Sequence, residues 1–153
     1  MKRTRPHPSA WLKLKSDGDS ARIVFLGPPY KREICFINGQ PKPFNAAMAA
    51  RGLKPKMRVS INVNLFDSVC MHILDMNRQL FKHVSSMRWE YPLDTWAFEL
   101  QRAGAAGSLD TTYSMRPFLK LTAKQRHASN RLPRYPLKTL YGKAAGSTIV
   151  SWD

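Results

Sequence analysis

The chain has 153 residues, of which 43% are hydrophobic, so it is long enough to bury one core and suits a single domain. Lys and Arg number 25 against 10 Asp and Glu, a formal net charge of +15 that favours a polyanionic partner, with nucleic acid first. No run of about 18 apolar residues occurs, so we expect neither a membrane span nor a membrane partner.

The cations are clustered along the chain. Residues 1–16 hold five Lys or Arg and no acid, residues 31–58 hold seven with one Glu, and residues 120–152 hold seven with no acid. A surface that only has to be solvated does not require this segregation. It is typical of an electrostatic footprint for phosphates.

The N-terminal part predicts an arm followed by a strand. Residues 1–19 contain prolines and an Asp-Gly-Asp turn, and we expect a flexible basic arm there. The apolar run ARIVFL at 21–26 predicts the first strand of the domain. Gly27, Pro28 and Pro29 follow it directly, and they predict that this strand ends at residue 26.

The next stretch predicts a hairpin strand and a connection. EICFI at 33–37 is typical of a strand, and Asn38-Gly39 is a strong signal for a tight turn after it. Within residues 40–56 we expect one short helix, with Asn45 as its N-cap and Gly52 at its end.

RVSINVNLF at 58–66 alternates strictly between apolar and polar residues. This period of two predicts a strand that is buried on its Val, Ile and Leu face. The opposite face carries a cation and a row of hydrogen-bonding groups, namely Arg58, Ser60, Asn62 and Asn64. In a chain of this charge, we expect that polar face to be open to a ligand.

The second half predicts a strand, a helix and a hairpin. MHILDM at 71–76 indicates a strand, and Asn77 caps a helix in which Leu80, Phe81, Val84 and Met87 recur at helical spacing. TWAFELQR at 95–102 and TTYSMRP at 111–117 predict two paired strands. Thr122 and Gln125 form a capping box for a last short helix.

These elements predict a mainly β fold. Six short strands with a helix between the fourth and the fifth favour an OB-fold-like small β-barrel with one or two short helices and basic terminal arms. We expect residues 20–128 to form this domain and residues 129–153 to form a basic C-terminal tail. A split α+β sandwich is the alternative.

Catalytic and metal chemistry find little support in the sequence. The ten acids are scattered and several occupy turns, whereas a nuclease gathers carboxylates around a metal ion. Cys35 and Cys70 lack the close spacing of zinc ligands, and we expect free, buried thiols in a reducing cytoplasm. We therefore expect no enzyme, no metal and no cofactor.

Binding of a single-stranded nucleic acid needs a basic groove and exposed rings on which bases stack. Tyr30 is the first candidate ring because two prolines hold it beside Lys31 and Arg32, whereas Trp96 and Phe98 are predicted to fill the core. Tyr113 is balanced between core and surface. The predicted contact residues are Tyr30, Lys31, Arg32, Lys54, Lys56, Arg58, Asn62, Asn64, Phe66, Arg102, Tyr113 and Arg116.

The order of three motifs resembles a known family. ILDMNRQLFK, DTWAFELQRAG and LDTTYSMRP are similar to consecutive elements of the single-stranded-DNA-binding (helix-destabilising) proteins of tailed bacteriophages. The similarity covers about residues 21–125. It implies an OB fold, cooperative coating of single-stranded DNA with self-association along the strand, and work beside replication or recombination proteins in the cytoplasm of an infected bacterium.

Two features differ from that family. Some members carry a zinc module between the second and third strands, whereas QPKPFNAAMAARGLKPK contains no Cys or His, so a zinc-less variant is implied. Members usually end in an acidic tail, whereas this chain ends KAAGSTIVSWD with Asp153 as its one acid.

We expect non-enzymatic binding of single-stranded DNA that coats or protects it in phage replication or recombination. RNA remains an alternative ligand, since stacking and backbone contacts serve both nucleic acids. The alternative function is a phage regulatory or interaction module that binds RNA or a host polymerase, with the apolar stretch STIVSW pairing to a partner's sheet edge.

Overall fold

A computed structural model describes residues 10–107, 111–141, 148–149 and 152 of the chain. The predicted mainly β fold is confirmed. The strands are β1 (Ser20–Ile37), β2 (Gln40–Pro43), β3 (Lys56–Leu65), β4 (Cys70–Asn77), β5 (Trp96–Ala103), β6 (Thr112–Lys120) and β7 (Thr148–Ile149). The helices are α1 (Ala46–Ala50), α2 (Arg78–Met87), α3 (Ala123–Asn130) and α4 (Leu137–Tyr141).

The strands form one antiparallel sheet in the order β4-β3-β1-β5-β6. β1 is its centre, because it pairs with β3 along one edge and with β5, β7 and β2 in turn along the other. In the described part of the chain, no hydrogen-bond ladder joins β4 to β6. The sheet is therefore open at that seam.

The two predicted strands around Gly27-Pro28-Pro29 are a single strand, β1. The prediction that a strand ends at residue 26 is wrong, because β1 pairs with β3 on both sides of a register shift. Leu26 pairs with Asn62 before the shift, and Tyr30 pairs with Ser60 after it. Residues 27–29 face no registered partner on β3, and they lie between the segments that pair with β5 and β7. Prolines are tolerated at such a bulge, since their missing N–H groups have no carbonyl to meet.

Local turn and cap predictions are confirmed where the chain needs special backbone geometry. Asn38 and Gly39 both have positive φ, at 51° and 75°, as a tight hairpin turn requires. The Asn45 and Asn77 side chains cap α1 and α2 by accepting from backbone N–H groups at 2.9 Å. The capping box of Thr122 and Gln125 begins α3.

The main core lies on the inner face of the sheet, under α2. Leu80 and Val84 of α2 are buried against Met115 of β6 in a cluster that also holds Ile61 and Phe98. The His83 ring hydrogen-bonds to the Met115 carbonyl oxygen at 2.8 Å, which ties the helix to β6. α2 contacts both β4 and β6, so it covers the core side of the sheet near the open seam between these two strands.

The N-terminal segment packs against the domain over its described residues. Ala10 is buried, Trp11 bridges to Ile73 of β4, and the Leu14 carbonyl accepts from the Arg102 guanidinium at 2.9 Å. Residues 10–19 therefore cross from the outer edge of β4 to the end of β5, although we expected a flexible arm. Residues 1–9 of the predicted arm lie outside the described residues.

The C-terminal segment also packs on the sheet. Residues 129–141, here called the C-terminal cover, lie over the outer face of β1, β3 and β4, which is the face that bears Asn62 and Asn64. They include α4, for which the sequence gives no clear period. Thr148 and Ile149 pair with β1 of the same chain, so this part of STIVSW is held in its own sheet, while residues 142–147 lie outside the described residues.

Both cysteines are free, but Cys70 is exposed at the start of β4, so the expectation that both are buried holds for Cys35 alone.

Across the residues that the structure describes, every helix is too short or too polar to cross a bilayer.

Candidate nucleic-acid interface

The polar face of β3 begins with a charged network. The Arg32 guanidinium donates from Nη1 to Asp75 Oδ1 and to Ser60 Oγ, both at 2.9 Å, and the Ser60 hydroxyl donates to Asp75 Oδ1 at 2.9 Å. Only 13% of the Arg32 side chain is exposed, and it also lies 4.3 Å from the centre of the Tyr141 ring. Arg32 therefore joins three strands and the C-terminal cover, which leaves little of it for a ligand.

The middle of that face is closed to solvent. Asn62 is 5% and Asn64 is 3% exposed. Asn62 exchanges two hydrogen bonds with the backbone of Tyr135, and Asn64 donates to the Ser129 hydroxyl at 3.1 Å. The expectation that both amides face a ligand is wrong, because the C-terminal cover takes the place that the ligand was expected to occupy.

Tyr30 is buried as well, with 4% of its surface exposed. Its ring stacks on Tyr141 at 6.1 Å between ring centres, and it packs with Ile73 and Leu137. The expectation of an exposed stacking ring is therefore wrong. Its ring faces the C-terminal cover rather than solvent.

Phe36 is an exposed ring that is absent from the predicted contact residues. It is 43% exposed near the end of β1, and Lys56 Nζ and the Arg58 guanidinium carbon lie 5.5 Å and 5.9 Å from its ring centre. Ile34 is the last β1 residue in register with β3, and beyond it Phe36 pairs with Pro41 of β2. The tight turn at Asn38-Gly39, two residues after Phe36, is the sequence feature that could have indicated an exposed ring, because side chains near a hairpin turn have few neighbours.

Two neighbouring cavities beside these cations form what we call the basic groove. They have volumes of about 530 Å³ and 910 Å³, and both use Asn77 as a wall. The first contains Lys13, Lys15, Arg58 and Arg102 with Asp75 as its acid, and the second contains Lys31, Lys56, Arg78 and Lys82 with Glu33 as its acid. Cations thus outnumber acids four to one among the described residues that line each cavity.

The N-terminus of α2 adds to this positive potential. Asn77 caps the helix at the shared wall of the two cavities, and the first turn contains no acidic residue. The unpaired backbone N–H groups at a helix start carry a partial positive charge, which acidic residues usually offset. Arg78 and Lys82 reinforce that charge here instead, so the groove is suited to anions.

The structure brings some predicted residues together at the basic groove and places others elsewhere. Lys31, Lys56, Arg58, Arg102 and Tyr113 line it, and Tyr113 is 39% exposed at its rim. Arg102, however, donates to the carbonyl groups of Leu14, Gly104 and Ala105, and so it holds the hairpin end in shape.

Besides Tyr30, Arg32, Asn62 and Asn64, three further predicted residues lie outside the basic groove. Lys54 is exposed in the connection before β3. Phe66 is half-buried, with its ring edge against Phe118 at 5.8 Å between centres. Arg116 is exposed on β6 and forms an ion pair with Glu99 of β5. These positions separate Phe66 and Arg116 from the Phe36 ring.

Neither metal binding nor similarity to known proteins helps to assign a function to the described residues. Within the described ranges, no three His, Cys, Asp or Glu side chains lie close enough to share a metal ion. Comparison of the chain with protein-family models, with curated proteins and with solved structures finds no match.

Proposed function

We propose that this protein binds single-stranded nucleic acid along the basic groove, with a base stacked on Phe36, which lies outside the two cavities but beside their residues Lys56 and Arg58. The observation that carries the proposal is the Phe36 ring, which is 43% exposed and has Lys56 and Arg58 beside it. Single strands need both parts of this arrangement, since cations neutralise phosphates and a ring accepts the face of any base. The role is binding and not catalysis.

The sheet topology supports an OB-like barrel for this task. An OB fold is a partly open, five-stranded barrel that binds strands on the face of its second and third strands. The order β4-β3-β1-β5-β6, with α2 between β4 and β5, fits such a barrel opened at the seam between β4 and β6. β3 and β4 then correspond to the binding face, which the C-terminal cover occupies except near Lys56 and Arg58.

Single-stranded DNA is the ligand that we propose first. It is the ligand implied by the resemblance to helix-destabilising phage proteins, together with coating or protection of the strand in phage replication or recombination in an infected cell. RNA is the alternative ligand, since a ring and a row of cations serve both. The regulatory-module alternative is weaker, because Thr148 and Ile149 already pair with β1.

Fluorescence anisotropy with labelled strands tests the proposal. Oligothymidylate, oligouridylate and duplex DNA of equal length are titrated at several salt concentrations. If about five to seven phosphates are neutralised, log K falls against log salt with a slope of about −3.5 to −5. A slope near zero contradicts the proposal, and tighter binding to oligouridylate assigns the groove to RNA.

Two matched sets of variants locate the groove. The double variant Lys56→Ala/Arg58→Ala removes two groove cations and makes the salt slope shallower by about 1.4, at roughly 0.7 per phosphate contact. Lys120→Ala/Lys124→Ala removes the same charge from exposed positions on β6 and α3 and serves as the control. Phe36→Ala is expected to cost about 1–3 kcal/mol of binding free energy, and Phe36→Leu separates stacking from simple apolar contact.

A further inference from the structure

Trp89 is the most exposed large apolar side chain among the described residues. It is 76% exposed, against 43% for Phe36, 57% for Val69 and 39% for Tyr113. Burying an indole would stabilise the fold, so an aromatic side chain that stays exposed often marks a binding site. The basic groove does not use this residue.

The backbone that carries Trp89 is held in a hydrogen-bonded turn at the end of α2. The backbone N–H groups of Glu90 and Tyr91 both donate to the Met87 carbonyl, at 3.2 Å and 2.9 Å, which fixes the turn that presents the ring. Tyr91 packs edge-on against Trp96 at 5.0 Å between ring centres. Because this turn is already formed, little backbone entropy is lost when a planar group stacks on the ring.

The surroundings of Trp89 are cationic. The Arg88 guanidinium carbon lies 4.0 Å from its ring centre. A cavity of about 360 Å³ beside Trp89 meets a second cavity of about 300 Å³ at Gly27 and Asp94, and the second is lined by Arg126 and Arg134. Among the described residues that line the two cavities, Asp94 is the single acid, and Arg126 lies 3.7 Å from its carboxylate.

We propose that Trp89 is a second stacking site for single-stranded nucleic acid, with Arg126 and Arg134 contacting the phosphates beside the stacked base. Planar, permanently charged guanidinium groups suit phosphate oxygens, and stacking on Trp accepts any base. Charge complementarity selects a polyanion over an apolar protein partner. This inference rests on the proposed function, because it concerns the same ligand, but it uses residues outside the basic groove.

The test compares a normal strand with an abasic strand of equal length and charge. Trp89→Ala is expected to weaken binding to oligothymidylate by between about 5-fold and 150-fold, the range for one stacked base, and to leave binding to the abasic strand unchanged. Trp89→Phe keeps a ring and most of the affinity. The quenching of tryptophan emission on binding is expected in the wild type and strongly reduced in Trp89→Phe.

Several outcomes overturn the inference. An equal loss on both strands shows that Trp89 only positions neighbouring cations, and no loss on either strand shows that it has no part in binding. Loss of self-association with unchanged strand binding assigns the ring to a protein interface instead. Phe36→Ala, measured in parallel, separates the two proposals: if it weakens binding and Trp89→Ala does not, the basic groove stands alone. If the wild type binds no single strand at low salt, both fail.

Discussion

Asn62 and Tyr135 are joined by two hydrogen bonds across 73 positions of the chain. The Asn62 amide donates from Nδ2 to the Tyr135 carbonyl oxygen at 3.1 Å, and its Oδ1 accepts from the Tyr135 backbone N–H at 2.8 Å. An amide side chain thus pairs with a peptide group much as a neighbouring strand does. This contact fastens the C-terminal cover to β3 and decides what the outer face of the sheet can bind.

The Asn62 contact is expected to contribute measurably to stability. Asn62→Ala removes both bonds and leaves two partly buried backbone groups of Tyr135 without partners, so unfolding should cost about 2 kcal/mol less. Urea denaturation followed by circular dichroism measures the change. Asn45→Ala, which removes an exposed cap bond from the short helix α1, is the matched control, and an equal loss in the two variants contradicts the assignment.

Tyr30 is expected to act through stability and not through direct ligand contact. Tyr30→Ala empties a buried site between Ile73, Leu137 and Tyr141 and should lower the free energy of unfolding by about 3 kcal/mol. Tyr30→Phe keeps the packed ring and should cost much less. Thermal denaturation measures both effects. Unchanged stability of Tyr30→Ala together with weaker strand binding reverses this interpretation.

Asp75 is expected to stabilise the fold while opposing the ligand. Asp75→Asn leaves the Arg32 guanidinium, which is 13% exposed, without a counterion, and should lower the free energy of unfolding by about 2 kcal/mol. The loss is smaller than for a fully buried pair because Asp75 is 26% exposed. The same change removes an acid from the basic groove, so strand affinity should rise. Asp67→Asn breaks an exposed pair with Arg22 and should change stability by no more than about 0.5 kcal/mol. Equal destabilisation of the two variants contradicts the network.

Gly104 is expected to tolerate a side chain less well than Gly39. At Gly104, φ is +126° and an added Cβ would lie 2.9 Å from the Thr111 Cα, so Gly104→Ala should lower the free energy of unfolding by about 3 kcal/mol or more. At Gly39, φ is +75° and no atom lies within 4 Å of the added Cβ, so Gly39→Ala should cost about 1 kcal/mol. Denaturation curves of the two variants check this order.

Local features were predictable from the sequence because neighbouring residues create them. Asn38-Gly39, Asn45, Asn77 and the Thr122–Gln125 capping box each act within three positions of the chain, and the structure places all of them as expected. The bulge in β1 was not predictable in this way. Whether Gly27-Pro28-Pro29 ends a strand or interrupts one depends on β3, which restores the pairing at Tyr30.

The alternation of RVSINVNLF determined by itself which side chains of β3 share a face, because successive residues of a strand point to opposite sides. It could not determine what covers the polar face. Ser129 and Tyr135 come from more than sixty positions further along the chain, and only the tertiary structure places them over Asn64 and Asn62. The net charge likewise follows from composition alone. The position of the exposed Phe36 ring beside Lys56, however, depends on where the pairing of β1 with β3 ends.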